Sequence, residues 1–177
     1  ATRLRGHSNL KLLHIADEQR KDPAIREKMF QQADVAILCL PDDAAIAACA
    51  LAKGHCRILD ASSAHRIDPD WAYGLPELTA NSREAIAAAD KVSNPGCYPQ
   101  GFILSVLPLI EAGLLDTATP LRCSAVSGYS GGGRQMIESF RDFTPEQADT
   151  FNTQAYGLTQ SHKHLPEMQR YSGTTVA

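Results

Sequence analysis

Short apolar runs separated by capped polar segments organise the first half of the chain. Residues 10–15, Leu-Lys-Leu-Leu-His-Ile, form the first run and predict a strand. Asp22-Pro23 follows, an N-cap residue with proline at the first helical position, and predicts a helix over residues 24–32. Asp34-Val-Ala-Ile-Leu-Cys-Leu40 is too short for a helix and apolar enough for a strand buried on both faces, and Pro41 ends it. Asp42 and Asp43 stand where they would cap an alanine-rich helix reaching Lys53, Gly54 would terminate it, and residues 56–59 form the next strand. Strands alternating with helices at this interval predict a parallel, right-handed, doubly wound α/β sheet of the Rossmann type.

A second passage starts near Lys91. A brief strand, Lys91-Val-Ser, enters Asn94-Pro-Gly-Cys-Tyr-Pro99, after which a helix is expected over residues 101–112, with Gly113 closing it. Then come a strand at residues 121–126, a glycine-rich turn Gly128-Tyr-Ser-Gly-Gly-Gly133, a polar irregular stretch, and His162-Lys-His-Leu-Pro-Glu167. Threonine and valine gather in residues 171–177 without a turn or cap behind them, as in a strand cut short. The expected division is a nucleotide-binding domain over residues 1–95 and an α+β catalytic and substrate domain over residues 96–177.

Composition narrows the class. The chain has 177 residues, 44% hydrophobic and 21% charged, which excludes disorder and leaves enough apolar side chains for a core. A net charge of −3 gives no basic footprint for nucleic acid or anionic lipid. The five cysteines are odd in number and form no C-x-x-C pair, so neither a disulfide framework nor a zinc knuckle is expected. With no membrane-length apolar run and no apolar signal core at the start, a reducing, cytoplasmic setting is expected.

Cys97 leads the candidates for chemistry. It follows a strand and a Pro-Gly turn at a helix N-terminus, where unpaired amides and the helix dipole favour a thiolate. Cys39, Cys49 and Cys123 read instead as small buried apolar residues. His162 and His164 titrate near neutrality and suit proton transfer; on spacing alone they are equally a metal pair or an ordinary loop. No carboxylate or cysteine cluster accompanies them at ligand spacing, so no metal is expected. His7, His14, His55 and His65 read as surface or satisfied core residues. Gly128 and the glycines at 131–133, followed by Arg134, would let amides approach an anion, or form a flexible turn. Asp60-Ala-Ser-Ser-Ala-His-Arg66 lies beyond a strand's carboxyl end, where open α/β sheets place ligands, and its serines and arginine suit phosphate.

Six motifs occur together and in order: Leu40-Pro-Asp-Asp43, Asp60-Ala-Ser-Ser-Ala-His-Arg66, Tyr73-Gly-Leu-Pro-Glu77, Asn94-Pro-Gly-Cys-Tyr-Pro99, Ser127-Gly-Tyr-Ser-Gly131 and His162-Lys-His-Leu-Pro-Glu167. In these the chain resembles the N-acetyl-gamma-glutamyl-phosphate reductases of arginine biosynthesis, in their shorter class. The resemblance implies an NADP-dependent reduction of an acyl phosphate through a cysteine thioester, releasing inorganic phosphate, in a homo-oligomer, a dimer or tetramer. It implies Cys97 as nucleophile and His162, or else His164, as acid/base. Arg66, Asn94, Ser127, Gly128, Ser130 and Gly131 would hold substrate. Leu40, Pro41, Ser62, Ser63 and Asn94 would line the cofactor site, with Arg20 receiving a 2′-phosphate. Gln100 stands where the family usually has threonine. The family also opens with a strand and glycine-rich loop that this chain begins after, and continues past its last residue, so poor dinucleotide binding by the fragment is expected. The competing readings are an aspartate-semialdehyde dehydrogenase-like enzyme, a cysteine-histidine hydrolase without nicotinamide, and a non-catalytic nucleotide-binding fragment.

Overall fold

Asp22 starts the first helix as its position predicts: its Oδ1 accepts the amides of Ala24 at 2.9 Å and Ile25 at 3.4 Å, with Pro23 in the first turn of α1 (Pro23–Gln32). The structure, a computed structural model, describes residues 4, 6–150, 155–159 and 161–176. Ala177, the end of the expected closing strand, and residues 151–154 and 160 of the expected irregular stretch lie outside the described residues. The chain forms two compact units, Ala1–Gln100 and Gly101–Ala177.

The first unit is the expected parallel α/β arrangement. After α1 come β1 (Val35–Leu38), α2 (Asp42–Ala52), β2 (Arg57–Asp60), β3 (Ala72–Tyr73), α3 (Ser82–Ala88) and β4 (Lys91–Ser93). All the pairings are parallel, in the order β1-β2-β4-β3. The two-residue β3 and the seven-residue α3 are too short to leave a periodic signal. Phe30 of α1, Ala48 and Ala52 of α2, Leu38, Ile58 and Trp71 form the buried cluster under one face. On the other face Arg57 donates to the carbonyls of Ala87 at 2.8 Å and Ala89 at 3.0 Å, so its guanidinium closes the C-terminus of α3.

Three expectations for this unit need correction. Residues 10–15 are not a strand: they enter no ladder, and Leu10, Leu12 and Leu13 are exposed. β1 is not buried on both faces, since Val35 and Ile37 are each 53% exposed. Both α1 and α2 supply the cluster on the Leu38 face, and β1 is an edge strand whose partner is β2. Asp42 does not cap α2; Pro41 holds the cap position, Asp42 spends its carboxylate on Ser63, and Lys53 takes the left-handed C-cap at φ 49° ahead of Gly54.

α4 (Cys97–Glu111) starts at Cys97 itself, earlier than expected, and the boundary between the units falls within its first turn. Gly113 closes it as expected, at φ 68° with its amide on the Ile110 carbonyl. In the second unit, residues 121–126 are not a strand. Leu121 makes one parallel bridge to Val176, and Val126 is 98% exposed. The expected glycine-rich turn holds a 3-10 turn at Tyr129–Gly132, while the polar stretch read as irregular contains helices, α5 (Gly133–Arg141) and α6 (Pro145–Thr150). Tyr171 and Ser172 are the end of α7 (Leu165–Ser172), which Gly173 caps, and not strand.

Candidate active site

The register puts Leu38, Asp60, Ser93 and Tyr73 in one row across the sheet, each the last residue of its strand. The loops after the four strands therefore leave from one edge, the side on which open parallel sheets bind ligands. Three bonds carry the ladder one residue past the strands: Ala61 N–H to the Leu38 carbonyl at 2.9 Å, Asn94 N–H to Asp60 at 2.7 Å and Gly74 N–H to Ser93 at 2.8 Å. Leu40, Pro41, Ser62, Ser63, Arg66, Asn94 and Cys97, expected from the sequence to share a site, all follow β1, β2 or β4 on this edge.

Asp60 organises the middle loop. Its carboxylate is fully buried; Oδ1 accepts the Ser62 amide at 3.0 Å, and Oδ2 accepts the Ser62 hydroxyl at 2.5 Å and bonds His65 Nδ1 at 2.7 Å. The Ser62 hydroxyl thus points at the carboxylate and not at an imidazole, so these three residues are not a serine nucleophile relay. His65, the satisfied core histidine, stacks on Trp71 with ring centroids 4.1 Å apart, and Lys91 Nζ lies 5.9 Å from the Trp71 ring. Ser63 donates to Asp42 from its amide at 2.9 Å and its hydroxyl at 2.8 Å, tying this loop to the start of α2. Arg66 is buried and donates from Nη2 to the Ala61 carbonyl at 3.1 Å. Arg20 is exposed in the turn ahead of α1.

Cys97 is exposed between buried neighbours, Pro95 and Gly96 before it and Pro99 after it. Anchored backbone on both sides presents the sulfur on the first residue of a 15-residue helix, where backbone amides lack intrahelical partners. Gln100 folds back so that its side chain meets the Pro95 carbonyl at 3.5 Å, and Asn94 Nδ2 donates to the same carbonyl at 3.2 Å. The other thiols divide. Burial, and then the charge of Asp60, push the Cys49 thiol up to about 11 against the opposing pull of Lys91. Burial also raises Cys56 against a backbone hydrogen bond with Ala36. Cys39 and Cys123 correct the expectation of buried, inert cysteines, since both are exposed: one follows a single-faced edge strand and the other lies in an irregular segment.

In the second unit His164 is buried at the N-cap of α7 and His162 is half-buried, their rings edge-on with centroids 4.6 Å apart. The His164 amide donates to His162 Nδ1 at 3.2 Å. Ser127, Gly128, Ser130 and Gly131 are exposed, and Gly131 N–H bonds the Gly128 carbonyl at 2.9 Å within the 3-10 turn. Among the described residues no group of three or more His, Cys, Asp or Glu could hold a metal, and no helix is long and apolar enough to cross a membrane. Sequence reasoning passed over Asp60 and Asp42 as site organisers. Their signal was a carboxylate ending an apolar strand and another just beyond a strand-ending proline, each followed by hydroxyl residues.

A parallel sheet with loops gathered on its carboxyl edge, leading into a cysteine-headed helix, defines an open α/β architecture with a ligand-binding edge. The model of the semialdehyde dehydrogenase NAD-binding domain matches residues 3–89, and that of the semialdehyde dehydrogenase dimerisation domain matches residues 97–176. N-acetyl-gamma-glutamyl-phosphate reductase 2 of Pseudomonas putida is 51% identical over 175 residues, 98% of this chain and 55% of the relative. The reductases of Burkholderia lata and a Chelativorans species are 48% and 47% identical over 98% and 96% of the chain. The fold is shared with a crystal structure of Vibrio cholerae aspartate semialdehyde dehydrogenase II, at a TM-score of 0.60 and 14% identity over 83% of this chain and 50% of that one. The chain belongs to the semialdehyde dehydrogenase family. It spans about half the length of the curated relatives it matches.

Proposed function

We propose that the whole protein reduces N-acetyl-L-glutamyl 5-phosphate to N-acetyl-L-glutamate 5-semialdehyde and inorganic phosphate with NADPH, in arginine biosynthesis. The observation that carries this reading is the exposed Cys97 sulfur, set at a helix start between buried prolines on the carboxyl edge of the sheet. An acyl phosphate is an activated carbonyl: the Cys97 thiolate forms the C–S bond as the phosphate C–O bond breaks, leaving a thioester. His162 is the acid/base. It takes the thiol proton in the first step and protonates the developing oxygen later. Release of the aldehyde breaks the C–S bond, passes the hydroxyl proton back to His162 and returns the thiolate. Arg66, Asn94 and the turn of Ser127, Gly128, Ser130 and Gly131 hold the substrate's anionic groups, for which guanidinium and amide donors suit.

The edge also fits a dinucleotide. Leu40 and Pro41 offer an apolar border and Ser63 has its hydroxyl held by Asp42, whereas Ser62 is buried with its hydroxyl engaged by Asp60 and the Ala64 amide; Arg20, exposed in the turn ahead of α1, is the residue proposed for a 2′-phosphate. When bound, NADPH supplies the hydride that takes the acyl group to the aldehyde. Residues 1–95 form the nucleotide-binding part in this reading and residues 96–177 the catalytic part of a cytoplasmic homo-oligomer. The test is phosphate-dependent NADP reduction by the full-length protein with N-acetylglutamate semialdehyde, run beside aspartate semialdehyde. Cys97→Ser should lose at least ~10³-fold of the turnover. Retained turnover in that variant, or preference for the unacetylated aldehyde, overturns the reading.

A further inference from the structure

We propose that Asp60 is a positioning residue for this reaction, holding the 61–66 loop, and with it Arg66, in its substrate-binding form through a hydrogen-bond clamp that includes His65. The inference rests on the function proposed above. Three donors converge on one buried carboxylate, namely the Ser62 amide, the Ser62 hydroxyl and His65 Nδ1, at 3.0, 2.5 and 2.7 Å. The order continues outward. The Ser62 hydroxyl oxygen accepts the Ala64 amide at 3.2 Å, and Arg66 closes on the Ala61 carbonyl at 3.1 Å. The Asp60 backbone carbonyl accepts Asn94 N–H at 2.7 Å, so one residue fixes the loop after β2 and the start of the loop that carries Cys97. A carboxylate accepts all three donors at once; a carboxamide has one acceptor oxygen and turns its NH2 against the rest. A buried donor left unmet is costly, and the loop relaxes to satisfy it with water.

His65 separates positioning from packing. Asn places an amide nitrogen close to where Nδ1 stands and keeps the bond to Asp60 while losing the stack on Trp71; Leu keeps apolar packing and loses the bond. In the full-length enzyme, Asp60→Asn and His65→Leu should raise the phosphate KM about tenfold with kcat within about threefold, the cost of one unmet buried donor. His65→Asn should stay near the wild type. Amide hydrogen exchange at residues 62–64 should speed up in Asp60→Asn and His65→Leu and remain protected in His65→Asn. Should Asp60→Asn fail to fold, the two His65 variants decide. A KM unchanged in His65→Leu, or a His65→Asn variant as impaired as His65→Leu, overturns the proposal. An inert wild type with this aldehyde would overturn the functional reading alone; the exchange pattern would still decide the clamp, with unchanged exchange in His65→Leu overturning it.

Discussion

Five thiols of one chemical type acquire different fates from their surroundings. Cys97 is exposed on the first residue of a helix, whereas Cys49 is held as the neutral thiol by burial and the nearby Asp60 charge, pushed up to about 11 from an ordinary 9.0. Iodoacetamide at pH 8 should therefore modify Cys97 and spare Cys49, read peptide by peptide by mass spectrometry; equal labelling of the two would contradict the burial argument. The same shift has a sign in stability. The folded state binds the Cys49 proton more tightly than the unfolded chain, so this contribution is complete below pH 9 and is lost as pH climbs toward 11. Cys56 and Tyr171, both raised chiefly by burial, act in the same direction. Cys49→Ala should make the fall in urea midpoint between pH 8 and pH 10 shallower, and an unaltered fall would refute the assignment. The sequence alone separated Cys97 from Cys49 because a helix start is a local feature. It did not separate Cys39 or Cys123 from Cys49, because exposure is decided by what packs on top.

At the scale of elements, Gly74 shows how little room β3 has beside β4. A Cβ at this position would lie 2.8 Å from the Ser93 carbonyl oxygen, the atom that accepts the Gly74 amide. That neighbour is backbone of the buried Ser93 and has nowhere to yield. Gly74→Ala should separate β3 from β4 and cost about 2 kcal/mol, within the range for an overpacked interior, seen as a lowered urea midpoint. Arg57→Ala removes the guanidinium from the last carbonyls of α3 and should cost about 1 kcal/mol, with faster amide exchange confined to that helix. Elements with a local signature were legible: Asp22-Pro23 announced α1, the apolar run at 34–40 announced β1, and Gly113 announced the end of α4. Elements that depend on a distant partner were not. The apolar runs at 10–15 and 121–126 look like strands, yet a strand exists only where a ladder exists, and Leu121 finds a single bridge, to Val176. The converse error fell on α5. Its Met136, Ile137 and Phe140 recur at helical spacing but are diluted by glycine before and polar residues between, so the segment read as irregular. Of the site, the edge residues were legible as motifs, while the Asp60 clamp was not, since neither a serine nor a histidine advertises which carboxylate it will meet.

For the molecule as a whole, the consequential feature is an apolar face without a cover among the described residues. Val35 and Ile37 lie on the same side of β1, each about half exposed, and Leu10, Leu12 and Leu13 are exposed as well. Edge strands of this kind pair with other chains unless charge or proline blunts them, and a net charge of −3 offers weak repulsion. The 177-residue polypeptide should accordingly self-associate through this face at high micromolar concentration. Threonine keeps the branched shape that suits a strand and removes apolar surface, so Ile37→Thr should weaken that association. The driving force also has a solvent signature: association through apolar surface strengthens in ammonium sulfate, whereas association through charge weakens as salt rises. Light scattering of the polypeptide and its Ile37→Thr variant across both salts separates the two. An Ile37→Thr variant that associates as strongly as the parent would move the interface elsewhere, with α5 and the exposed Tyr129 stacked on its Phe140 the next surface to test.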